Sequence, residues 1–251
     1  MKVRFLGAHN TETNTAGLMC LLVDEVVALD AGSLTSRLPL SAQLALKAVL
    51  ITHPHYDHIR DLPMLAMNCY LNSGKVHIYG SQAVKDTLSE HIMNGNIYSN
   101  FFARPVMDFH IIEPGVPFSV ADYDILPVSV NHSVPSNGYQ VTSKGHSFFY
   151  TGDTGPGLEN CWQHISPQLL IIDVTSSNRF TNFGRDSKHL TPELLKGELS
   201  IFRSIRGYIP RVVAVHMNPA LEAEIAIELK EVATGLGCSI SLAGEGLELE
   251  C

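Results

Sequence analysis

Hydrophobic positions fall into two blocks, each mixing short apolar runs with amphipathic stretches. In the first block, Val3–Leu6, Leu18–Val23, Val26–Leu29 and Ala48–Thr52 are apolar runs of strand length. Short apolar runs bounded by turn signals predict buried strands. Ser41–Lys47 predicts a short helix, and Leu62–Leu71 a longer one whose first turn tolerates Pro63. Val76–Tyr79 reads as a strand, and Ser81 as the cap of a helix running through His91. The second block supplies strands over Phe109–Ile112, Asp124–Val130, Gly138–Thr142, Ser147–Thr151, Leu169–Val174 and Val212–His216. Thr191 followed by Pro192 predicts a helix start. Leu221, Ile225, Leu229, Val232 and Leu236 recur at helical spacing, with Pro219 opening that helix and Gly235 or Gly237 closing it. No linker, low-complexity tract or clear repeat interrupts residues 1–251. One domain of two sheets with outer helices fits this alternation better than an open parallel sheet.

Composition narrows the function classes. With 45% hydrophobic residues among 251, a sizeable core can be buried. The formal charge of −8 and the lack of any Lys/Arg run argue against an extended nucleic-acid face, though a small local basic patch stays open. No stretch is apolar and long enough to span a membrane. The first residues enter a strand directly instead of forming a signal peptide, so a cytoplasmic location is expected. The five cysteines, Cys20, Cys69, Cys161, Cys238 and Cys251, are odd in number and widely spaced, which predicts reduced thiols and no disulfide framework.

The chemistry concentrates in His53-Pro54-His55-Tyr56-Asp57-His58, directly after the run Ala48–Thr52. In extended backbone, residues i and i+2 point the same way, so His53 and His55 can grip one metal. Pro54 fixes its own φ and biases His53 away from the α region. Asp57 and His58 follow one turn later and can face a second ion. Imidazole and carboxylate together suit zinc, with manganese or iron as alternatives. Three further ligand-type residues stand where strands end: His132, Asp153 within Thr151-Gly152-Asp153-Thr154-Gly155, and His216.

Together these residues resemble the metallo-β-lactamase fold superfamily, from H-x-H-x-D-H through a lone His and Gly-Asp-Thr to a last His. The resemblance implies an αββα sandwich and two divalent metal ions per chain. His53, His55 and His132 would hold one ion, Asp57, His58 and His216 the other, and Asp153 would bridge them. Two divalent cations, two aspartates and a shared hydroxide leave a charge of about +1, which suits a phosphodiester monoanion, although a carboxylate or ester is tolerated too. Asp57 is also expected to take part in catalysis.

Asp173 and His189, in Leu170-Ile171-Ile172-Asp173 and Lys188-His189-Leu190-Thr191-Pro192, resemble the phosphodiesterase branches, tRNase Z and the class II cyclic-nucleotide phosphodiesterases. There an acidic residue orients a histidine that protonates the leaving alkoxide. Those families usually carry glutamate where Asp173 stands. The segments His91–Tyr98, Lys188–Leu195 and His216–Pro219 resemble the cyclic-nucleotide branch. Asp153 follows His132 by 21 positions, too few for the tRNA-gripping arm often inserted there in tRNase Z. Two departures stand out: Asp61 replaces a frequent glycine, and Ala8-His9-Asn10 replaces a glycine-rich turn. His9 is therefore either a contact near the site or a surface loop residue.

The expected function is hydrolysis of a 3',5'-cyclic nucleotide or similar small phosphodiester, with Asn94, Asn96, Tyr98 and Asn137 as candidate substrate contacts. A lactonase or thioester hydrolase on the same scaffold is the alternative, then a metal-holding sensor without turnover. Nucleic acid is not the expected substrate, no membrane partner is expected, and a homodimer is left open.

Overall fold

A computed structural model describes residues 1–251. Fourteen strands form two seven-stranded sheets. The first sheet comprises β1 (Lys2–Gly7), β2 (Cys20–Val23), β3 (Val27–Leu29), β4 (Ala48–Leu50), β5 (Val76–Gly80) and β6 (Met107–Ile111). The second comprises β7 (Phe118–Val120), β8 (Tyr123–Ser129), β9 (Asn137–Ser143), β10 (His146–Tyr150), β11 (Leu169–Asp173), β12 (Arg211–Val215) and β13 (Ile240–Leu242). The last strand, β14 (Glu248–Glu250), returns to pair with β1. The strand order is β14-β1-β2-β3-β4-β5-β6 in one sheet and β13-β12-β11-β10-β9-β8-β7 in the other.

The two sheets share one design. In the first, β14 through β3 pair antiparallel and β3 through β6 parallel. In the second, β7 through β10 pair antiparallel and β10 through β13 parallel. Alternation sorts side chains between layers. Phe5, Leu21, Leu29 and Leu50 meet Tyr139, Phe148, Tyr150, Ile171 and Val213 between the sheets. The opposite face of the first sheet, with Leu22, Val49 and Ile78, packs under the helix Leu62–Leu71. The opposite face of the second, with Leu170, Ile172 and Val212, packs under Pro192–Arg206 and Glu222–Leu236. The result is the αββα sandwich.

Helix ends follow local chemistry. Thr191 caps Pro192–Arg206, its side chain accepting from Leu194 N, and Gly207 ends the helix at φ 82°. The residue at that end must turn left-handed, which glycine does without strain. Two expected helices differ. The stretch after Ser81 forms Gln82–Asp86 and then widens into a π-helical turn over Thr87–Ile92. The last helix begins at Glu222 rather than Pro219, because the Asn218 side chain accepts from Ala220 N and holds a turn there. No disulfide joins the five cysteines. No helix is long and apolar enough to cross a membrane.

Candidate metal centre

Strands β3, β4, β8, β10, β11 and β12 all end on the same edge of the sandwich, and ligand-type residues leave each of them. This is the carboxyl-end position where open α/β sheets place ligands. His53 and His55 follow β4, and Asp57 and His58 lie in the short helix Tyr56–Ile59. His132, Asp153 and His216 follow β8, β10 and β12. Gly152 makes the approach of the two sheets' loops feasible. It sits at φ 60°, and a Cβ there would lie 2.7 Å from the Thr52 Cβ. His216 is itself left-handed at φ 63°, with its N–H donating to Ala8 O at 2.6 Å.

Two donor sets result. In the first, His55 Nδ1 lies 3.1 Å from His53 Nε2 and 3.2 Å from His132 Nε2. Asp153 Oδ2 lies 3.5 and 3.8 Å from those two Nε2 atoms. In the second, His216 Nε2 is 3.1 Å from Asp57 Oδ2, and His58 Nε2 is 3.5 Å from the same oxygen. Asp153 Oδ1 lies 3.1 and 3.3 Å from His58 and His216. Ligands about 2 Å from one zinc ion stand about 3.3 Å apart in a tetrahedron, so both sets match in size. Asp153 presents one oxygen to each set.

Whether these residues fit metal ions is tested by their outer contacts. His58 Nε2 and Asp153 Oδ1 are buried and make no hydrogen bond, which is costly for polar atoms that have no other partner. Each of the four Nε2 atoms belongs to an imidazole whose Nδ1 meets an oxygen. The partners are Thr52 Oγ1 at 2.9 Å for His53 and Asp30 Oδ2 at 2.7 Å for His58. For His132 and His216 they are Lys188 O at 3.1 Å and Thr175 Oγ1 at 2.7 Å. An Nδ1–H committed to oxygen leaves the Nε2 lone pair facing the donor set, the usual support of a metal-binding histidine. Burial pushes His53 and His55 below the ordinary imidazole range and His132 down to about 4, favouring the neutral form that binds metal. Burial opposes charge on Asp153, but His216, His58 and His53 outweigh it and hold the carboxyl well below its usual range. The residues fit two ions.

A second network adjoins the first. His189 Nδ1 is 2.7 Å from Asp173 Oδ2, so the shorter aspartate side chain reaches the histidine. Asp173 also accepts from Thr154 N at 3.0 Å and from Thr175 Oγ1 at 2.8 Å. The His189 ring stacks on His216 with centroids 5.2 Å apart and meets His132 edge-on at 5.1 Å. Burial lowers the His189 pKa, but Asp173 overrides it and lifts the group to about 9.

Asp30 was not singled out by the sequence. It is fully buried and accepts from Thr52 N and Oγ1, from Tyr150 OH at 2.8 Å and from His58. It thereby steadies ligands on both sides. The available signal was an aspartate at a strand end, in Leu29-Asp30-Ala31-Gly32. His9 is neither at the donor sets nor on the surface. It is 3% exposed, with Nδ1 2.8 Å from Glu245 Oε1. Asp61 accepts from Thr35 N at 2.8 Å, a fixed role for the residue that departs from glycine. Asn94 spends its carbonyl on Asn96 N and Ile97 N, and Tyr98 OH meets Met64 Sδ. No hydrogen bond links Asn94, Asn96 or Tyr98 to the seven donors. Asn137 lines a recess of about 440 Å³ together with His132 and Ser133.

The chain matches the Beta-lactamase superfamily domain over residues 21–217. A Ribonuclease Z of Acaryochloris marina is 30% identical over 153 residues, covering 56% of this chain and 47% of that protein. The chain spans about half, or less, of the length of the curated relatives it matches. Among solved structures, unliganded yeast PDE1 superposes with a TM-score of 0.84 at 19% identity, covering 100% of this chain and 99% of that one. The metallo-beta-lactamase fold protein YhfI of Bacillus subtilis gives 0.79 at 18% identity, covering 100% and 99%. Zn(2+)-bound PqqB from Methylobacterium extorquens gives 0.78 at 16%, covering 100% of both chains. At these identities the superpositions establish the fold.

Proposed function

This chain belongs to the beta-lactamase superfamily, and from that membership and the paired donor sets we propose that it is a dinuclear metal-dependent phosphodiesterase acting on a small phosphodiester such as a 3',5'-cyclic nucleotide. His53, His55, His132 and Asp153 would hold one divalent ion, and Asp57, His58, His216 and Asp153 the other. Zinc is the preferred ion for this donor chemistry. Such ions, when bound, lower the pKa of water to about 7 and neutralise phosphoryl oxygens.

The observation that carries the reading is the Asp173–His189 contact beside both donor sets. Cleaving an alkyl phosphodiester expels an alkoxide, which leaves poorly unless protonated. His189 holds its Nδ1 proton against Asp173 and can carry a second proton on Nε2. Asp173 favours that charged form, and Thr175 joins the pair to His216 through Oγ1. Lactones and thioesters do not require this donor, so a lactonase leaves the pair without a task. Asn137, in the recess beside His132, is the substrate contact best placed among those expected. The relative named Ribonuclease Z lends no support to setting nucleic acid aside, so the preference for a small substrate rests on acidic charge and the short His132–Asp153 spacing.

The test is His189→Ala, with metal content measured on each preparation. An alkyl phosphodiester should lose roughly 10²–10⁴-fold in kcat, the usual range for acid–base catalysis, while bis(p-nitrophenyl) phosphate loses far less. Equal losses would assign His189 to binding or structure. No loss on either substrate would favour a lactonase or a metal-holding sensor.

A further inference from the structure

A second group of metal-binding side chains lies away from the donor sets, on β5 and β6. His77 and Asp108 face each other in the parallel register, and His110 lies opposite Tyr79, two residues on. Residues two apart share a face, so His77, Asp108 and His110 converge. His77 Nδ1 is 3.0 Å from His110 Nε2 and 3.7 Å from Asp108 Oδ2. These separations match those within the main centre, where imidazole nitrogens stand 3.1 and 3.2 Å apart. The strand register puts His77 one residue before the Val49–Ile78 pair, at the opposite end of β4 from His53.

Packing holds the histidines in place. The rings of Phe118, Tyr79, His110 and His77 form a continuous stack, with successive centroids 5.0, 4.5 and 5.3 Å apart and planes within 29° of parallel. The stack stands at the open edge of the sandwich, because β6 ends one sheet and β7 the other. Both imidazoles are half-buried, so their rotamers are constrained while their nitrogens stay accessible. One feature competes: Lys75 Nζ lies 2.6 Å from Asp108 Oδ2. Both side chains of that pair are more than 40% exposed. An ion pair so exposed contributes little, and the lysine can swing into water.

We propose that His77, Asp108 and His110 form a separate surface site for one first-row divalent ion of the zinc class. The donors are two borderline imidazoles and one carboxylate, with water free to complete a tetrahedron. Binding forms three protein–metal bonds, breaks the His77–His110 hydrogen bond and releases Lys75 from Asp108.

Zinc itself is the probe, titrated calorimetrically into the full chain at neutral pH after the main centre has been saturated. Wild-type protein should take one more zinc ion than His77→Ala. Asp108→Asn, which removes the charge but few atoms, should bind that ion at least about tenfold more weakly, the scale on which even outer contacts of a metal site matter. Lys75→Ala should bind it several-fold more tightly, because the competing cation is gone. If His77→Ala fails to fold, the opposed effects of Asp108→Asn and Lys75→Ala carry the test. Identical zinc stoichiometry and affinity in wild type, Asp108→Asn and Lys75→Ala would overturn the assignment, leaving a hydrogen-bonded histidine pair and nothing more.

Discussion

Asp173→Asn removes one charge and almost no volume, so it isolates what the carboxylate does to His189. In the native protein Asp173 Oδ2 accepts from His189 Nδ1 and Thr154 N, and Oδ1 accepts from Thr175 Oγ1. An asparagine has one accepting oxygen, so its NH₂ group must turn toward Thr154 N–H or Thr175 Oγ1. Turning toward Thr175 costs less, since a hydroxyl rotates, but that hydroxyl loses its acceptor while still accepting from His216. A stability loss of about 1–3 kcal/mol is expected from this mismatch. The larger consequence is chemical. Burial pulls His189 down and Asp173 lifts it to about 9. Without the charge, burial prevails and the pKa falls to roughly 6.5 or below. At pH 8 the protonated fraction then drops from about nine tenths to about 3%, a loss of roughly 30-fold in available acid. Bound divalent ions would lower both values together, so the comparison of the two proteins is what matters. The assay is kcat against pH on an alkyl phosphodiester and on bis(p-nitrophenyl) phosphate, with metal content and thermal stability recorded. The alkaline limb for the alkyl substrate should move down by about two pH units or more, and the p-nitrophenyl substrate should change little. An unmoved limb, or equal losses on both substrates, would refute the reasoning.

Three other outcomes follow from the same geometry. Asp153→Ala deletes the carboxylate between the two donor sets, so metal analysis should show both ions loosened and turnover abolished; native metal content and activity would exclude a bridge. Asp30→Ala leaves His58, Tyr150 and Thr52 facing an unfilled acceptor position. It should cost about 3–5 kcal/mol in denaturant unfolding and weaken metal binding by about 10–100-fold. Glu245 is held down to about 2, burial opposing and His9 prevailing, while His9 is raised above its ordinary value in spite of burial. The depressed carboxyl contributes stability above pH 4.5 that is lost as pH falls toward 2. The raised imidazole contributes below pH 6.5 and loses its share as pH rises through its folded value. The melting temperature of Glu245→Gln should therefore lag wild type most between about pH 4.5 and 6.5, by the equivalent of about 1–3 kcal/mol; a penalty that does not vary with pH would refute the ion pair.

Much of the architecture was legible because its signals are local. β4 announces itself as an apolar run, Pro54 sets the spacing of His53 and His55, and Thr191-Pro192 marks a helix start. β7, β13 and β14 are no shorter than β3 and β4, but they are only partly buried, so no continuous apolar run marks them and only pairing with a neighbour defines them. The same limit applies around the metal centre. The histidine cluster is contiguous, whereas Asp30 gains its importance from Tyr150 and His58, 120 and 28 positions away. The sequence leaves His9 open between a contact near the site and a surface loop residue, because its partner Glu245 lies 236 positions along the chain.

Each donor set takes two residues from the loops of one sheet and two from the other: His53 and His55 with His132 and Asp153, Asp57 and His58 with Asp153 and His216. Neither sheet alone presents a complete coordination sphere. Ions would therefore bind only when the sheets are docked, and by linkage each would stabilise the docking itself. At a free-ion concentration a hundredfold above its Kd, that contribution is about 2.7 kcal/mol per ion. Metal supply during synthesis would then act on more than activity: it would set how firmly the open end of the sandwich stays shut.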